Sequence, residues 1–345
     1  MNQTPTIKKN TRVELYDWIR VIATIFVVIG HAAYLKIVTA NGGINYILPS
    51  QLSPTYNGFL LSSFRFLAIW VYTFHMPLFI MISGFFAQKG EPSFSNLIIK
   101  KTTTLLLPVV IWTAIIVIYS LLSSKDSMRI LIEIKGNSWY LKVLFLCLLY
   151  QWLSRRIISI DWIAAIGSII ILFVLPFGSI FQFNFMYSFF WVGYFIGKNK
   201  DWIFKHTIDG LYLTGICFWL GLFFMFLNNW NVTNLVLDFN CWKYTPHLIA
   251  VKYYLSFCGS MFFIFLFRKI ADRRDCSIVA RWGSYTLGIY VMQTFIIQYL
   301  FVDYFHFSYG AIENYLIAIL LSCITCFICI FSIRRSLLLL CSLVD

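Results

Sequence analysis

The chain has 345 residues, of which 60% are hydrophobic, 19% aromatic and only 12% charged, with a formal net charge of +13. A soluble domain carries about 25% charged residues. The composition therefore excludes a water-soluble globular protein and leaves an all-α polytopic membrane protein, whose spans satisfy their own backbone hydrogen bonds.

In chain order, apolar runs of membrane length predict about ten transmembrane helices, near 15–35, 65–87, 104–122, 139–154, 162–178, 182–197, 211–228, 247–267, 283–302 and 311–332. The basic residues cluster in short groups between these runs, as topology signals do, so the net charge does not point to nucleic acid. With the N-terminus in the cytoplasm, 18 of the 27 basic residues fall on successive cytoplasmic segments. Both termini are then cytoplasmic. The leading tail, 1–13, is not a cleavable signal, because Asp17 and Arg20 interrupt the run that follows and no small-x-small site is present. The final residues, 333–345, form a short cytoplasmic or interfacial tail. The whole of 1–345 reads as one membrane-embedded domain, with outer loops near 36–64, 123–138 and 229–246 long enough to cover a cavity mouth. The nine cysteines show no paired spacing, so neither a disulfide framework nor a metal site is expected.

The first run, DWIRVIATIFVVIGH, holds Asp17, Arg20, Thr24 and His31. A charge at the centre of a membrane helix costs about 3 kcal/mol on insertion scales, which makes an intramembrane Arg and His a site hypothesis in itself. Their spacing is about three turns, so Arg20 and His31 share a face roughly 16 Å apart along the axis. Asp17 and Thr24 fall on the same face. Gly30 and the alanines after His31 leave room around its ring. A neutral imidazole acts as general base toward a hydroxyl or as nucleophile toward an activated acyl group; a structural histidine bonded between helices is the alternative. Arg20 cannot deprotonate, and either packs against Asp17 or serves a phosphorylated or thioester-bearing substrate. Intramembrane charge is concentrated in this first run, with histidines in the first two, which favours a localised site over a translocation path.

The second run contains His75 before Met76 and Pro77, then Ser83 and Gly84. Pro77 frees a carbonyl of the preceding turn, while Ser83 and Gly84 permit close helix approach or an extra hydrogen bond. His75 and Ser83 lie roughly on one face, as site partners or as packing residues. Arg65, at the outer end, faces substrate or snorkels to the interface. Lys100 and Lys101 precede the third run, as topology residues or as a dock for an anionic cofactor arriving from the cytosol. Asn137, Trp139 and Tyr140 open the fourth run as NSWYL, an aromatic belt or a platform for a sugar ring.

Together these stretches resemble the acyltransferase 3 family of integral membrane proteins, and within it the stand-alone sugar O-acetyltransferases of the fucose 4-O-acetylase type. Asp17 to His31 is similar to the family's first-helix signature, an Arg-x10-His preceded by an acid. FHMPLFIMISGFF (Phe74–Phe86) resembles the second-helix signature. NSWYL and YTLGIYVMQ (Tyr285–Gln293) resemble motifs of later helices. Two departures stand out: a basic pair usual before the third helix is reduced to Lys101-Thr-Thr-Thr104, and a late-helix histidine is replaced by Gln293.

The resemblance implies transfer of an acyl group, usually acetyl from acetyl-CoA, to a hydroxyl of a cell-envelope saccharide or lipid-linked saccharide at the plasma or inner membrane. In that reading His31 is catalytic, supported by Asp17, His75 or Ser83. Arg20, Lys100 and Lys101 meet the phosphates of acyl-CoA. Trp139, Tyr140, Asn137 and Arg65 face the acceptor. The chain ends just after its last run, so transfer is completed by the membrane part or by a separate partner. Metal and nucleic acid have no expected part. The rival readings are a transporter or flippase of lipid-linked saccharide and a catalytically silent structural partner.

Overall fold

The computed structural model describes residues 11–33, 35–38, 43–46, 63–88, 93–123, 130, 134–228, 243–272, 279, 281–304 and 319–333, with single positions 230, 232, 235 and 237. The N-terminal residues ahead of Thr11, those after Ile333, most of the expected outer loops and the side chain of Arg65 lie outside the described residues.

The principal helices are α1 (Thr11–Ala32), α2 (Ser63–Ala87), α3 (Phe94–Lys101), α4 (Leu107–Leu122), α5 (Trp139–Ile157), α6 (Asp161–Val174), α7 (Phe183–Lys198), α8 (Lys200–Lys205), α9 (Thr207–Leu227), α10 (Pro246–Ala271), α11 (Thr286–Phe295), α12 (Phe301–Tyr304) and α13 (Ile319–Ile333). Among the described residues, six helical segments are long and apolar enough to cross a membrane: Leu15–Ala32, Ile69–Ala87, Phe94–Leu122, Thr207–Leu227, Pro246–Ala271 and Arg281–Asp303. The other four expected runs are helical too, as α5, α6, α7 and α13. They are shorter or carry more charge; α5 includes Lys142, Arg155 and Arg156, and α6 and α7 have 14 and 16 residues.

Two details differ from expectation. From the last residue of the expected first run into the expected loop 36–64, Leu35–Val38 (β1) and Gly43–Tyr46 (β2) pair antiparallel, with Leu35 opposite Tyr46. Among the described residues the bundle is therefore all-helical apart from this pair, whose Ile37, Val38 and Ile44 are β-favouring residues. The third run also starts ten residues early. Ser93 accepts a hydrogen bond from the Asn96 N–H and caps α3, and a π-turn over Thr102–Leu106 carries the helix into α4. Such a turn widens the hydrogen-bond ring and loosens carbonyls from their usual partners. Here Thr103 donates to the carbonyls of Ile99 and Lys100, and Thr104 to that of Lys100. Lys100 and Lys101 thus sit within a continuous rod rather than at its entrance.

The core is centred on α2 and α7, whose backbones touch. A Cβ at Gly84 would strike the carbonyl of Phe190, and one at Gly193 would strike that of Met81. Only glycine permits this approach, the small-residue packing that membrane helices use in place of a hydrophobic drive. On its other side α2 meets α10. Pro77 has no N–H for the carbonyl of Thr73, one turn back, and Ser256 of α10 supplies the missing donor at 2.6 Å. One turn along, Ser260 donates to the carbonyl of Phe74 at 3.2 Å. The proline break is thereby closed by a second helix. At the end of the bundle where α1 starts, Asp161 ties three helices together, accepting from Arg155 of α5 at 3.0 Å and from Tyr194 and Lys198 of α7. Burial pushes its carboxyl pKa up, but the hydrogen bonds from Lys198 and Tyr194 and the charge of Arg155 outweigh this and hold it below the ordinary carboxylate value.

Candidate active site

Helix α1 is the axis of the site. Parallel to it runs the segment 281–304: Gly283 packs on Asp17 so closely that a Cβ there would come within 3.0 Å of the aspartate Cβ. Fourteen residues further up α1, His31 faces Gln298. Helix α2 runs antiparallel, placing Phe86 beside Arg20 and Tyr72 beside His31. The end of the bundle where α1 starts is here termed proximal and the opposite end distal.

At the proximal end the Arg20 guanidinium lies 4.9 Å from the centre of the Phe86 ring and 3.4 Å from the Asp17 carboxylate. Both side chains are partly exposed, so the pair itself contributes little to stability. It occupies one of the five guanidinium donors. Thr24 turns back on its own helix, donating to the Arg20 carbonyl at 2.8 Å. Lys101 of α3 is half-buried, within electrostatic reach of both Lys100 and Arg20. Lys101 and Arg20, from two different helices, are therefore within electrostatic range of each other, and exposed Lys100 is next to Lys101 in the chain. Like charges gathered in a partly buried place repel, and an anion between them relieves that repulsion. Phosphate suits the planar fork of arginine and the point charges of lysine.

At the distal end, the Tyr72 ring lies 6.2 Å from the His31 ring and 4.7 Å, edge-on, from the His75 ring. The two histidines are within electrostatic reach of each other. His75 Nδ1 is 2.7 Å from the Val71 carbonyl. A carbonyl can only accept, so Nδ1 carries the proton and Nε2 the lone pair. Gln298 extends its amide nitrogen to 3.5 Å from His31 Nδ1, the long end of hydrogen-bond range. It does so from a π-turn, Ile296–Leu300, the kind of helix irregularity that often marks functional sites. The room that Gly30 leaves beside His31 is not empty: Tyr72 fills it, and a Cβ at Gly30 would lie 3.1 Å from that ring.

The remaining predicted residues are spread between these ends. Ser83 donates to the Phe79 carbonyl at 3.1 Å and neighbours Tyr140. It is about 12 Å along α2 from His75, so it joins the tyrosine rather than the histidines. Among the described residues the buried Tyr140 hydroxyl has no hydrogen-bond partner, and its ring packs on Phe79 and Tyr290. Gln293 donates to Thr294 at 2.9 Å, and among the described residues its buried Oε1 has no partner. Asn137 is buried and donates to Thr113 of α4 at 2.9 Å. Trp139 lines a distal cavity of about 160 Å³, together with Tyr72, Met76, Gln182, Phe185 and Lys252.

Tyr72, Gln298, Gln182 and Lys252 are residues that the motifs and spacings of the sequence do not single out. Lys252 corrects one expectation outright. It is buried inside a membrane-length helix, so intramembrane charge is not concentrated in the first run, and the rule that singles out Arg20 applies to it equally. Among the described residues no group of three or more His, Cys, Asp or Glu is placed to hold a metal ion.

A family model described as an acyltransferase domain matches residues 14–335. No curated protein and no solved structure matches the chain.

Proposed function

The chain belongs to the acyltransferase 3 family, and from that premise we propose that it is a multi-pass membrane enzyme moving an acetyl group from acetyl-CoA to a hydroxyl of a cell-envelope saccharide. The observation that carries this reading is the division of α1 between two chemistries. At its proximal end Arg20 has Lys101 within electrostatic range, with Lys100 adjacent in the chain, and a histidine pair stands beside a cavity at its distal end. The two are roughly 16 Å apart along the helix, a span that an extended pantetheine arm bridges.

In this proposal the cations hold the phosphates of acyl-CoA, and Asp17 orients Arg20. The thioester then reaches toward His31. The acceptor hydroxyl gives its proton to the imidazole as its oxygen attacks the thioester carbonyl. The carbon–sulfur bond breaks, the ester bond forms, and the departing thiolate takes up the proton. His75 supports His31 across Tyr72, while Ser83 and Tyr140 line the interior between the two ends. Trp139 offers the acceptor an aromatic face; Asn137 secures the start of α5, and Arg65, in the first turn of α2, is assigned to the acceptor. The full topology is ten spans with both termini cytoplasmic, in the plasma or inner membrane. The six long apolar helices, the four that are shorter or more charged and the positive-inside pattern support it.

The experiment is transfer of label from acetyl-CoA to saccharide by purified protein, with His31→Ala as the control. Transfer that survives in the variant removes the histidine from the chemistry. Saccharide that crosses the bilayer while the label stays on CoA is the result a flippase gives.

A further inference from the structure

The distal cavity has polar groups to which the acyl-transfer chemistry assigns no role. Its volume is about 160 Å³. A single water needs about 10–15 Å³ of such space, so the cavity holds roughly ten water-sized groups, the scale of one sugar ring with its hydroxyls.

Much of the lining is apolar or aromatic, with Met76, Trp139 and Phe185. The polar exception centres on Gln182. This residue and its neighbour Phe181 both have left-handed backbone, with φ of 58° and 51°, a conformation uncommon outside glycine that concentrates at ligand-holding sites. Buried Lys252 donates to Gln182 Oε1 at 2.8 Å and to the Leu235 carbonyl at 2.7 Å, with its ammonium 4.8 Å from the centre of the Phe185 ring. Because the ammonium can only donate, the Gln182 oxygen is the end it holds. The amide NH2 is left as the outward end, and among the described residues it has no hydrogen-bond partner.

We propose that this cavity seats one uncharged sugar ring of the acceptor, with the Gln182 NH2 donating to a ring hydroxyl and Trp139 covering an apolar face. Lys252 is the positioning residue, holding Gln182 in its strained pose. Two of its three donors are held by protein oxygens, and the group presented to a ligand is the uncharged Gln182 amide, which suits the hydroxyls of a neutral ring. The identity of the ring as acceptor rests on the acyltransferase reading; the binding of a sugar does not.

The test uses the full chain in lipid nanodiscs, with radiolabelled methyl glucoside, methyl galactoside, methyl mannoside and methyl glucuronide as probes. At least one neutral glycoside is expected to bind, and more tightly than the glucuronide. Gln182→Leu is expected to weaken that binding about tenfold while acetyl-CoA affinity is retained. Lys252→Met is expected to reproduce the loss. Because Lys252 is buried and its variant is at risk of misfolding, the partly exposed Gln182 carries the decision, and retained acetyl-CoA binding reports an intact fold. Absence of neutral-glycoside binding, preference for the glucuronide, or unchanged affinity in Gln182→Leu overturns the proposal. Sugar binding lost in Gln182→Leu, with no transfer of label from acetyl-CoA by the parent protein, leaves the cavity assignment standing and removes the acyltransferase reading. Transfer whose acceptor KM ignores Gln182→Leu does the reverse.

Discussion

The rod Phe94–Leu122 and the helix segment Ile69–Ala87 have opposite fates in the bundle. The rod is the most apolar of the six long spans, yet only 17% of its apolar stretch is buried, against 72% for that of the less apolar α2 span. In water the order would be the reverse. In a bilayer, lipid accepts apolar side chains as readily as protein does, so helices go inside because they pack closely or carry polar atoms that need partners. Helix α2 does both, with Gly84 against α7 and His75, Pro77 and Ser83 needing partners. The rod turns Val110, Ile118, Leu121 and Leu122 outward. It offers the interior a narrow edge, where Lys101 is within electrostatic range of Arg20 and Thr113 holds Asn137. Burial here follows chemistry and backbone contact, and hydropathy is a poor guide to it.

The sharpest way to break this contrast is to fill the glycine contact. Gly193→Leu drives a side chain into the Met81 backbone, and no monodisperse protein is expected on size-exclusion chromatography. Next comes His31→Ala, which should leave the protein folded and lower acetyl transfer about 100- to 10,000-fold, the usual contribution of a general base. Replacing Lys100 and Lys101 together with Gln is expected to raise the KM for acetyl-CoA about tenfold through lost charge-assisted contacts, with acceptor KM unaffected. Asp161→Asn is smaller, about 1–3 kcal/mol at neutral pH, read by thermal unfolding in detergent. Its folded pKa is depressed, so the stabilisation is complete above the unfolded carboxylate value near 3.9 and declines as pH falls through the folded value. The parent should therefore lose part of its advantage over the variant in acid. Smallest of all, Ile118→Ala on the lipid face of the rod should shift stability by no more than about 0.5 kcal/mol. A loss as large as that of a core leucine would place the rod inside an assembly.

Helical arithmetic alone makes the α1 face legible, since the alignment of Asp17, Arg20 and His31 depends only on a period of 3.6 residues. Pro77 is legible for the same reason, as the missing N–H has a fixed address at Thr73. Its remedy, Ser256, is not, because 183 residues separate the partners. Tyr72 is hidden for a related reason: it belongs to the site through the space Gly30 leaves on another helix. Gln182 depends on a left-handed backbone that its residue type does not announce. The early start of the third helix is obscured because FSNLIIKK is amphipathic rather than apolar. Lys252 differs from all of these, because an ionisable residue in a membrane-length run is visible in the sequence by the rule that marks Arg20. What the sequence withholds there is the partner, Gln182, 70 residues away.

The serine bridge over Pro77 also bears on how the chain is made. Ser256 leaves the ribosome 183 residues after Thr73, which at ordinary synthesis rates is on the order of ten to forty seconds. For that interval α2 exists with a broken ladder and a bare carbonyl in its middle, an expensive state in hydrocarbon. Water or the insertion machinery must satisfy that carbonyl until α10 arrives. The helix carrying His75 is thus threaded early and finished late, and the nascent bundle stays pliable until its eighth apolar run is in place.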